Sequence, residues 1–215
     1  MNLNRGAGRT LAQDVKYVFD LDGTLTRVET LPLIARHFHI EEEIAELTER
    51  TIRGHIPFED SFLKRVGILG QFPVDAVDQL LADIPLFEGL LEFIQRRQSD
   101  CIVATGNLDV WISTLLMRFG CQVHSSCGQV VDGKVSGVTH ILRKADVVAD
   151  LQARGNYVVF VGDGDNDAGA MRLADLSIAC GLVHEPAEAV IAAADHIAYR
   201  ETRLLDLLAD VTTPA

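Results

Sequence analysis

The chain has 215 residues, of which 48% are hydrophobic, and it carries a formal net charge of −12. This length and composition allow a full hydrophobic core, in one large domain or in one domain with a sizeable insertion. The negative charge argues against a nucleic-acid partner, because phosphate backbones select basic surfaces. No stretch is apolar and long enough to span a membrane, and the first residues lack the apolar run of a signal peptide.

The four cysteines form no Cys-x-x-Cys pair, and most of them lie among apolar or β-branched neighbours. Reduced thiols in a protein core have such surroundings. Reduced cysteines are typical of a reducing compartment, so we expect a soluble, cytoplasmic protein.

The first predicted strand ends in two carboxylates. Residues 17–19 are apolar, as in a strand buried on both faces, and the sequence Asp-Leu-Asp-Gly-Thr follows from Asp20. Because Asp and Gly weaken strands, we predict that this strand ends at or near Asp20. In an open α/β sheet the carboxyl ends of the strands form the ligand crevice, so Asp20 and Asp22 would project into it, with Leu21 facing the core. The same residue types also suit an ordinary turn.

Residues 26–83 have a helical pattern of apolar residues, which predicts a small bundle inserted after the first strand. Glycine and proline divide the region into short helices. The dividing residues are Gly54, Pro57, Gly70 and Pro73. We therefore predict an α/β core made of residues 1–25 and 84–215, with residues 26–83 as a helical cap.

Strand and helix patterns alternate from residue 84 to the end of the chain. The predicted strands are residues 101–105, 121–124, 157–163, 176–179 and 196–198. Asp132 and Gly133 lie between β-branched residues and predict a hairpin with a type I′ turn. Repeated βα units predict a doubly wound, mostly parallel sheet with a Rossmann-like core.

Three predicted strands end in groups suited to phosphate and metal chemistry. These groups are Asp20 with Asp22, Thr105 with Gly106 and Asn107, and Asp163-Gly-Asp-Asn-Asp167. Because parallel strands bring their carboxyl ends to one edge, the three groups would converge on one site. Carboxylates gathered with other oxygen donors, and without paired Cys or His, suit Mg²⁺. Without a cation, so many like charges would repel one another.

The acidic stretch from Asp163 also resembles the start of an EF-hand calcium loop. That loop requires Gly at its sixth position and Glu at its twelfth, where this chain has Ala168 and Ala174. A predicted strand precedes the stretch instead of a helix. The EF-hand interpretation is therefore excluded.

The order of these motifs resembles that of the haloacid dehalogenase-like phosphatases. The four matching motifs are Asp20-Leu-Asp-Gly-Thr24, Thr105, Lys144 and Gly162-Asp-Gly-Asp-Asn-Asp167. The resemblance covers nearly the whole chain after the N-terminal tail, and the first and fourth motifs are highly specific. The helical insertion and residues 58–66 resemble the phosphoserine phosphatase group of this superfamily.

The resemblance implies a Mg²⁺-dependent phosphomonoesterase that acts on a small phosphorylated metabolite, with phosphoserine as the leading substrate. Asp20 would be the nucleophile that forms an aspartyl-phosphate. Asp22 would protonate the leaving group and then activate the water. The implied metal ligands are Asp20, the backbone carbonyl of Asp22 and Asp163, with Asp167 supporting them.

The resemblance also implies a set of substrate contacts. Thr105, the Gly106 amide and Lys144 would hold the phosphoryl oxygens, and Asn166 would lie beside the substrate. We prefer Lys144 to its neighbour Arg143 as the phosphate-binding cation. In the cap, Glu29 would receive the substrate ammonium and Arg65 the carboxylate.

One departure from the family pattern leaves the substrate open. Where phosphoserine phosphatases usually have Ser-Gly-Gly and an aromatic residue, this chain has Thr105-Gly-Asn107-Leu. The hydroxyl is retained, but Asn107 adds a side chain where the family offers bare backbone. A phosphatase for another small metabolite is therefore an alternative.

A receiver or phosphate-binding module that does not hydrolyse its ligand is a rival from a different class. Asp22 argues against it, because a receiver needs no acid for a leaving alcohol. The dehalogenase branch is disfavoured, since it has no use for an acidic metal-binding loop. The sequence leaves open whether the chain is a monomer or a homodimer.

Overall fold

The computed structural model describes residues 14–52 and 56–211. The N-terminal tail and the predicted helix break at Gly54 lie outside the described residues. Seven strands are described: β1 (Val15–Phe19), β2 (Cys101–Leu108), β3 (Gln122–Val131), β4 (Lys134–His140), β5 (Tyr157–Gly162), β6 (Leu176–Cys180) and β7 (His196–Ala198). They form a sheet in the order β4-β3-β2-β1-β5-β6-β7. Neighbouring strands are parallel except for β3 and β4, which are antiparallel.

Ten α-helices lie in the described part of the chain. They are α1 (Thr30–His37), α2 (Glu41–Ile52), α3 (Phe58–Leu69), α4 (Val74–Ala82), α5 (Glu88–Arg96), α6 (Ser113–Met117), α7 (Lys144–Ala153), α8 (Ala168–Leu173), α9 (Glu188–Ile191) and α10 (Glu201–Ala209). None of the helices within these ranges is long and apolar enough to cross a membrane. Helices α1–α4 all lie between β1 and α5 in the chain.

The sheet is buried on both faces, which confirms the predicted doubly wound α/β fold. Along β1, Tyr17 and Phe19 belong to one hydrophobic cluster and Val18 to another. Strand β5 alternates in the same way, with Val161 in the first cluster and Phe160 in the second. Because successive strand residues point to opposite faces, both faces must be covered by apolar side chains.

The chain leaves β1 where the sequence predicts. The backbone N–H of Asp20 still donates to Val161 O at 2.9 Å, and Leu21 is fully buried. Gly23 follows with φ +68°, and a Cβ there would lie 2.7 Å from Glu29 Oε1 and 2.8 Å from Asp163 Oδ2. Only glycine fits both the left-handed backbone and the closeness of the two carboxylates.

Two of the predicted strands are clearly shorter than the observed ones. The prediction ends the second strand at residue 105, but β2 continues to Leu108 with a register shift after Thr105. The short strand at 121–124 and the hairpin arm beyond it are one strand, β3. Its first half pairs with β2 and its second half with β4. The intervening Ser and Gly residues have no strand pattern of their own, so the partner strands hold them extended.

The predicted hairpin turn is confirmed, and it contacts the inserted helices. Asp132 and Gly133 both have positive φ, 51° and 73°, as a type I′ turn requires. The N–H of Val74, the first residue of α4, donates to Gly133 O at 2.8 Å, and Pro73 forms a bridge with Lys134. The inserted helices are thereby attached to the β3–β4 hairpin.

Candidate active site

Three carboxylates meet at the carboxyl ends of β1 and β5. Oxygens of Asp20, Asp163 and Asp167 lie within 4.8 Å of one another. The three residues are 6%, 5% and 0% exposed. Burial and the charge of Asp167 raise the pKa of Asp20 well above its usual value, although Lys144 opposes the shift. The arrangement concentrates negative charge in a place that water barely reaches.

Lys144, the first residue of α7, lies among these carboxylates and is 4% exposed. Its Nζ is 2.5 Å from Asp20 Oδ1 and 2.6 Å from Asp167 Oδ1. Burial opposes the charged form, but the two carboxylates outweigh it and raise the pKa of Lys144. The neighbouring Arg143 points elsewhere: its side chain is 67% exposed, and its Nη2 lies 2.8 Å from Glu59 Oε1 in α3.

Asp167 organises the loop that follows β5. Its Oδ2 accepts the backbone N–H groups of Asp163 and Gly164, both at 3.0 Å. A Cβ at Gly162 would lie 2.5 Å from the same oxygen, so the glycine leaves room for the carboxylate. Thr24 Oγ1 donates to Asp163 Oδ1 at 2.8 Å, which joins this loop to the one after β1. Asp165 and Asn166 remain exposed.

Both oxygens of Asp22 accept hydrogen bonds. The Thr30 N–H, at the start of α1, donates to Oδ1 at 3.0 Å, and Asn107 Nδ2 donates to Oδ2 at 2.5 Å. Burial raises the pKa of Asp22, and the hydrogen bonds from Thr30 oppose that shift. The sequence suggested Asn107 as a possible influence on substrate identity and did not indicate its contact with Asp22. The two residues are 85 positions apart, and no local pattern connects them.

His184, in the loop after β6, is a site residue that the sequence analysis missed. Its Nε2 lies 3.0 Å from Glu29 Oε1 and 3.2 Å from Asp163 Oδ2, and its Nδ1 lies 2.9 Å from Glu185 O. Each ring nitrogen faces carboxylate or carbonyl oxygens, an arrangement that favours the doubly protonated imidazolium. The hydrogen bond to Asp163 is the main cause that raises the pKa of His184 to about 10. A lone histidine in a loop outside the motifs offers no signal for this role.

A cavity of about 220 Å³ opens above the carboxylates. The core contributes Asp20, Asp22 and Asp163 to its wall, and the inserted helices and the turn before them contribute Glu29 and Arg65. The remaining lining residues include Gly106, Asn107, Asn166, Trp111 and apolar residues of α1 and α3. Burial and the charges of Asp22 and Asp163 raise the pKa of Glu29 to about 7. Burial lowers the pKa of Arg65.

The other site residues predicted from the sequence lie next to this cavity. Thr105 is buried in β2, and its Oγ1 accepts the N–H of Asn107 at 3.1 Å. Lys144 borders a second cavity, of about 340 Å³, which shares Gly106 and Asn166 with the first. The fold therefore brings every predicted site residue to one edge of the sheet.

Comparison with known proteins identifies the class. The sequence model described as haloacid dehalogenase-like hydrolase matches residues 17–172. The chain therefore belongs to the haloacid dehalogenase-like hydrolase family, which confirms the resemblance drawn from its motifs.

Within that family, the chain is similar to phosphoserine phosphatases. It is 29% identical to the phosphoserine phosphatase of Methanocaldococcus jannaschii over 177 residues, which are 75% of this chain and 83% of that protein. It is 30% identical to the Haemophilus influenzae enzyme over 189 residues, but this match spans 58% of that longer protein. A solved structure described as a phospho-aspartyl intermediate analogue of phosphoserine phosphatase superimposes with a TM-score of 0.77 at 25% identity, and it covers 94% of this chain and 100% of that one.

Proposed function

We propose that the chain is a Mg²⁺-dependent phosphomonoesterase that forms an aspartyl-phosphate on Asp20, with phosphoserine as its leading substrate. One observation carries the proposal: Asp20 lies at the floor of a cavity, in contact with Lys144 and close to Asp163 and Asp167. Family membership and the names of the relatives support the class of reaction and of substrate.

The donor set around Asp20 suits a hard divalent cation. Asp20, Asp163 and Asp167 place carboxylate oxygens within 4.8 Å of one another, and oxygen is the ligand that Mg²⁺ prefers. Asp20 and Asp163 would bind the cation together with the backbone carbonyl of Asp22, and Asp167 would hold the loop. When bound, the ion would screen the negative charge between the nucleophile and the phosphate.

The protein's own groups would supply the remaining chemistry. Asp20 attacks phosphorus as the bond to the leaving oxygen breaks, and Asp22 gives that oxygen a proton. The raised pKa of Asp22 favours the protonated form that this step needs. Asp22 later takes a proton from the water that hydrolyses the aspartyl-phosphate.

The phosphoryl oxygens would be held by groups in the second half of β2 and at the start of α7. Lys144 brings a buried positive charge to the nucleophile, and Thr105 and the Gly106 N–H lie at the register shift of the neighbouring strand β2. Asn166 faces the same cavity. Preorganised donors of this kind stabilise the charge that phosphoryl transfer develops.

Glu29 and Arg65 would select the amino acid part of the substrate. Both line the cavity, Glu29 for the ammonium and Arg65 for the carboxylate. His184 already donates to Glu29 Oε1, so a substrate ammonium would have to replace or share that contact. The contact between His184 and Glu29 is the observation that favours the alternative function, a phosphatase for a small metabolite without an ammonium group.

Helices α1–α4 would act as a cap, because they supply one wall of the cavity and the core supplies the other. The cap would exclude water from the aspartyl-phosphate until hydrolysis. The four cysteines are all free thiols, which suits the reducing cytoplasm.

Phosphate release from a panel of phosphomonoesters, measured with and without Mg²⁺, tests the proposal. Phosphoserine should have the highest kcat/KM, since phosphoethanolamine lacks the carboxylate and phosphoglycolate lacks the ammonium. If no phosphomonoester is hydrolysed in Mg²⁺, the phosphatase proposal is wrong. If phosphoglycolate is preferred, the chemistry stands but the substrate proposal is wrong.

Glu29→Gln and Arg65→Ala test the substrate contacts separately from the chemistry. Removing one partner of a buried charge pair costs roughly 2–5 kcal/mol. Each variant should therefore lose far more kcat/KM with phosphoserine than with p-nitrophenyl phosphate, which has neither group. Equal losses with the two substrates would place these residues outside amino acid recognition.

A further inference from the structure

Asn107 makes three hydrogen bonds between the end of β2 and the elements around Asp22. Its Nδ2 donates to Asp22 Oδ2 at 2.5 Å and to Thr30 Oγ1 at 3.2 Å, and its backbone N–H donates to Thr105 Oγ1 at 3.1 Å. A side-chain amide has two N–H donors, and these two acceptors account for both. The side chain is therefore oriented by the protein itself.

With the contact from Asn107, each oxygen of the Asp22 carboxyl group accepts one hydrogen bond. Thr30 N–H donates to Oδ1 from the start of α1, while Asn107 donates to Oδ2 from the core. A carboxyl group on a loop can rotate about two side-chain bonds. With one donor on each oxygen, that rotation is restricted to a single orientation.

We infer that Asn107 is a positioning residue for Asp22, which it holds in the orientation that delivers a proton to the leaving oxygen. The inference rests on the proposed function. In the step concerned, the bond between Asp20 and phosphorus forms, the bond between phosphorus and the substrate oxygen breaks, and the proton of Asp22 moves to that oxygen. Asn107 itself exchanges no proton.

A direct substrate contact is the competing role, because Asn107 also lines the cavity. The two roles predict different kinetics. A substrate contact acts in binding and raises KM. A residue that positions Asp22 speeds the step that releases the leaving group, so its loss slows that step in proportion to how much the leaving group needs a proton.

The experiment compares Asn107→Ala with the wild type on p-nitrophenyl phosphate, phenyl phosphate and phosphoserine. We expect the pre-steady-state rate of leaving-group release, which precedes hydrolysis of the aspartyl-phosphate, to fall less than about 3-fold for the nitrophenyl ester and at least about 10-fold for phosphoserine, with the half-saturating substrate concentration within about 2-fold. Asn156→Ala is the matched control, since Asn156 Nδ2 donates to Leu151 O just before β5, at the opposite end of that strand from the site. Equal losses of this rate with all three esters, or a rise in the half-saturating concentration alone, would overturn the inference.

A second measurement does not depend on phosphatase activity. Urea unfolding of Asp22→Ala, Asn107→Ala and the double variant forms a mutant cycle, because residues in direct contact do not contribute additively. A hydrogen bond between the two side chains predicts that the unfolding constants depart from additivity by about 2- to 10-fold. Additive effects would show that Asn107 does not hold Asp22. A wild type inactive on every ester, together with a coupled cycle, would instead count against the proposed function.

Discussion

Lys144 and Arg143 are adjacent in the chain but lie in opposite environments. Lys144 is buried between Asp20 and Asp167, whereas Arg143 is exposed and pairs with Glu59. The difference arises because Lys144 begins α7 on the side that faces the carboxyl ends of β1 and β5. At the scale of single residues, the charge inside the site is therefore set by the side chains that are buried together with an oppositely charged partner.

Lys144→Met and Arg143→Met form a matched pair that tests this difference. Lys144→Met leaves two buried carboxylates without their cation, so unfolding experiments should show a loss of about 3–5 kcal/mol. Its phosphatase activity should fall at least 100-fold. Arg143→Met should change both quantities little, since exposed ion pairs contribute little to stability. If the two substitutions had similar effects on stability and activity, the burial of Lys144 could not be the cause of its importance.

Asp20→Asn tests the nucleophile. Turnover should be abolished and no phosphoenzyme should be trapped, because an amide does not attack phosphorus. The protein should remain folded by circular dichroism, since Lys144 keeps its pair with Asp167 and the change removes one of several like charges. Phosphate release near the rate of the wild type would rule out the proposed mechanism.

At the scale of elements, the loop after β6 joins the core to the turn that precedes the cap. His184 from this loop contacts Glu29, just before α1, and Asp163, just after β5. Each of these contacts places a positive charge against a carboxylate. The loop thus connects the first inserted helix to the acidic loop of the core.

His184→Gln tests the pH dependence of this connection. The folded protein raises the pKa of His184 from 6.5 to about 10, so protonation stabilises the fold. The stability that His184 adds should be fully present below its unfolded pKa and should be lost as pH rises through about 10. Urea unfolding of both proteins without Mg²⁺, at several values between about pH 6 and pH 10, measures the difference. His196→Gln, at an exposed position of β7, is the control. If the stability difference between the wild type and His184→Gln did not change with pH, the ion pairs of His184 with Glu29 and Asp163 would be contradicted.

At the scale of the whole molecule, cation binding and folding should be linked. The oxygens that would bind Mg²⁺ come from segments far apart in the chain, so the unfolded chain has no such site. A ligand that binds only the folded state stabilises it by about 2.7 kcal/mol at 100 times its dissociation constant. For a domain of this size, that amount should raise Tm by about 5–10 °C.

Asp163→Asn and Asp165→Asn are the matched test of this linkage. Asp163 belongs to the buried cluster, whereas Asp165 is exposed on the same loop. Thermal unfolding with Mg²⁺ and with EDTA should show that Asp163→Asn abolishes most of the shift and that Asp165→Asn keeps it. Equal shifts in the two variants would place the cation elsewhere.

Much of the fold follows from local patterns in the sequence. The apolar run that ends at Asp20 predicts where β1 ends, because strand residues and turn residues have opposite backbone preferences. Asp132 and Gly133 predict the hairpin turn for the same reason. The alternation of strands and helices predicts a parallel sheet, and a parallel sheet brings its carboxyl ends together. The sequence alone therefore determined the fold class and the edge of the sheet where the acidic motifs meet.

The tertiary structure alone decided how the side chains at that edge pair with one another. Asn107 meets Asp22 across 85 positions, and His184 meets Glu29 across 155. The extension of β2 to Leu108 and the continuity of β3 likewise depend on partner strands. Local patterns record backbone preference and burial, but the partner of a polar side chain depends on how distant elements pack. For that reason the sequence predicted the acidic, hydroxyl and lysine groups of the site but not His184, and the structure determined the contacts among them.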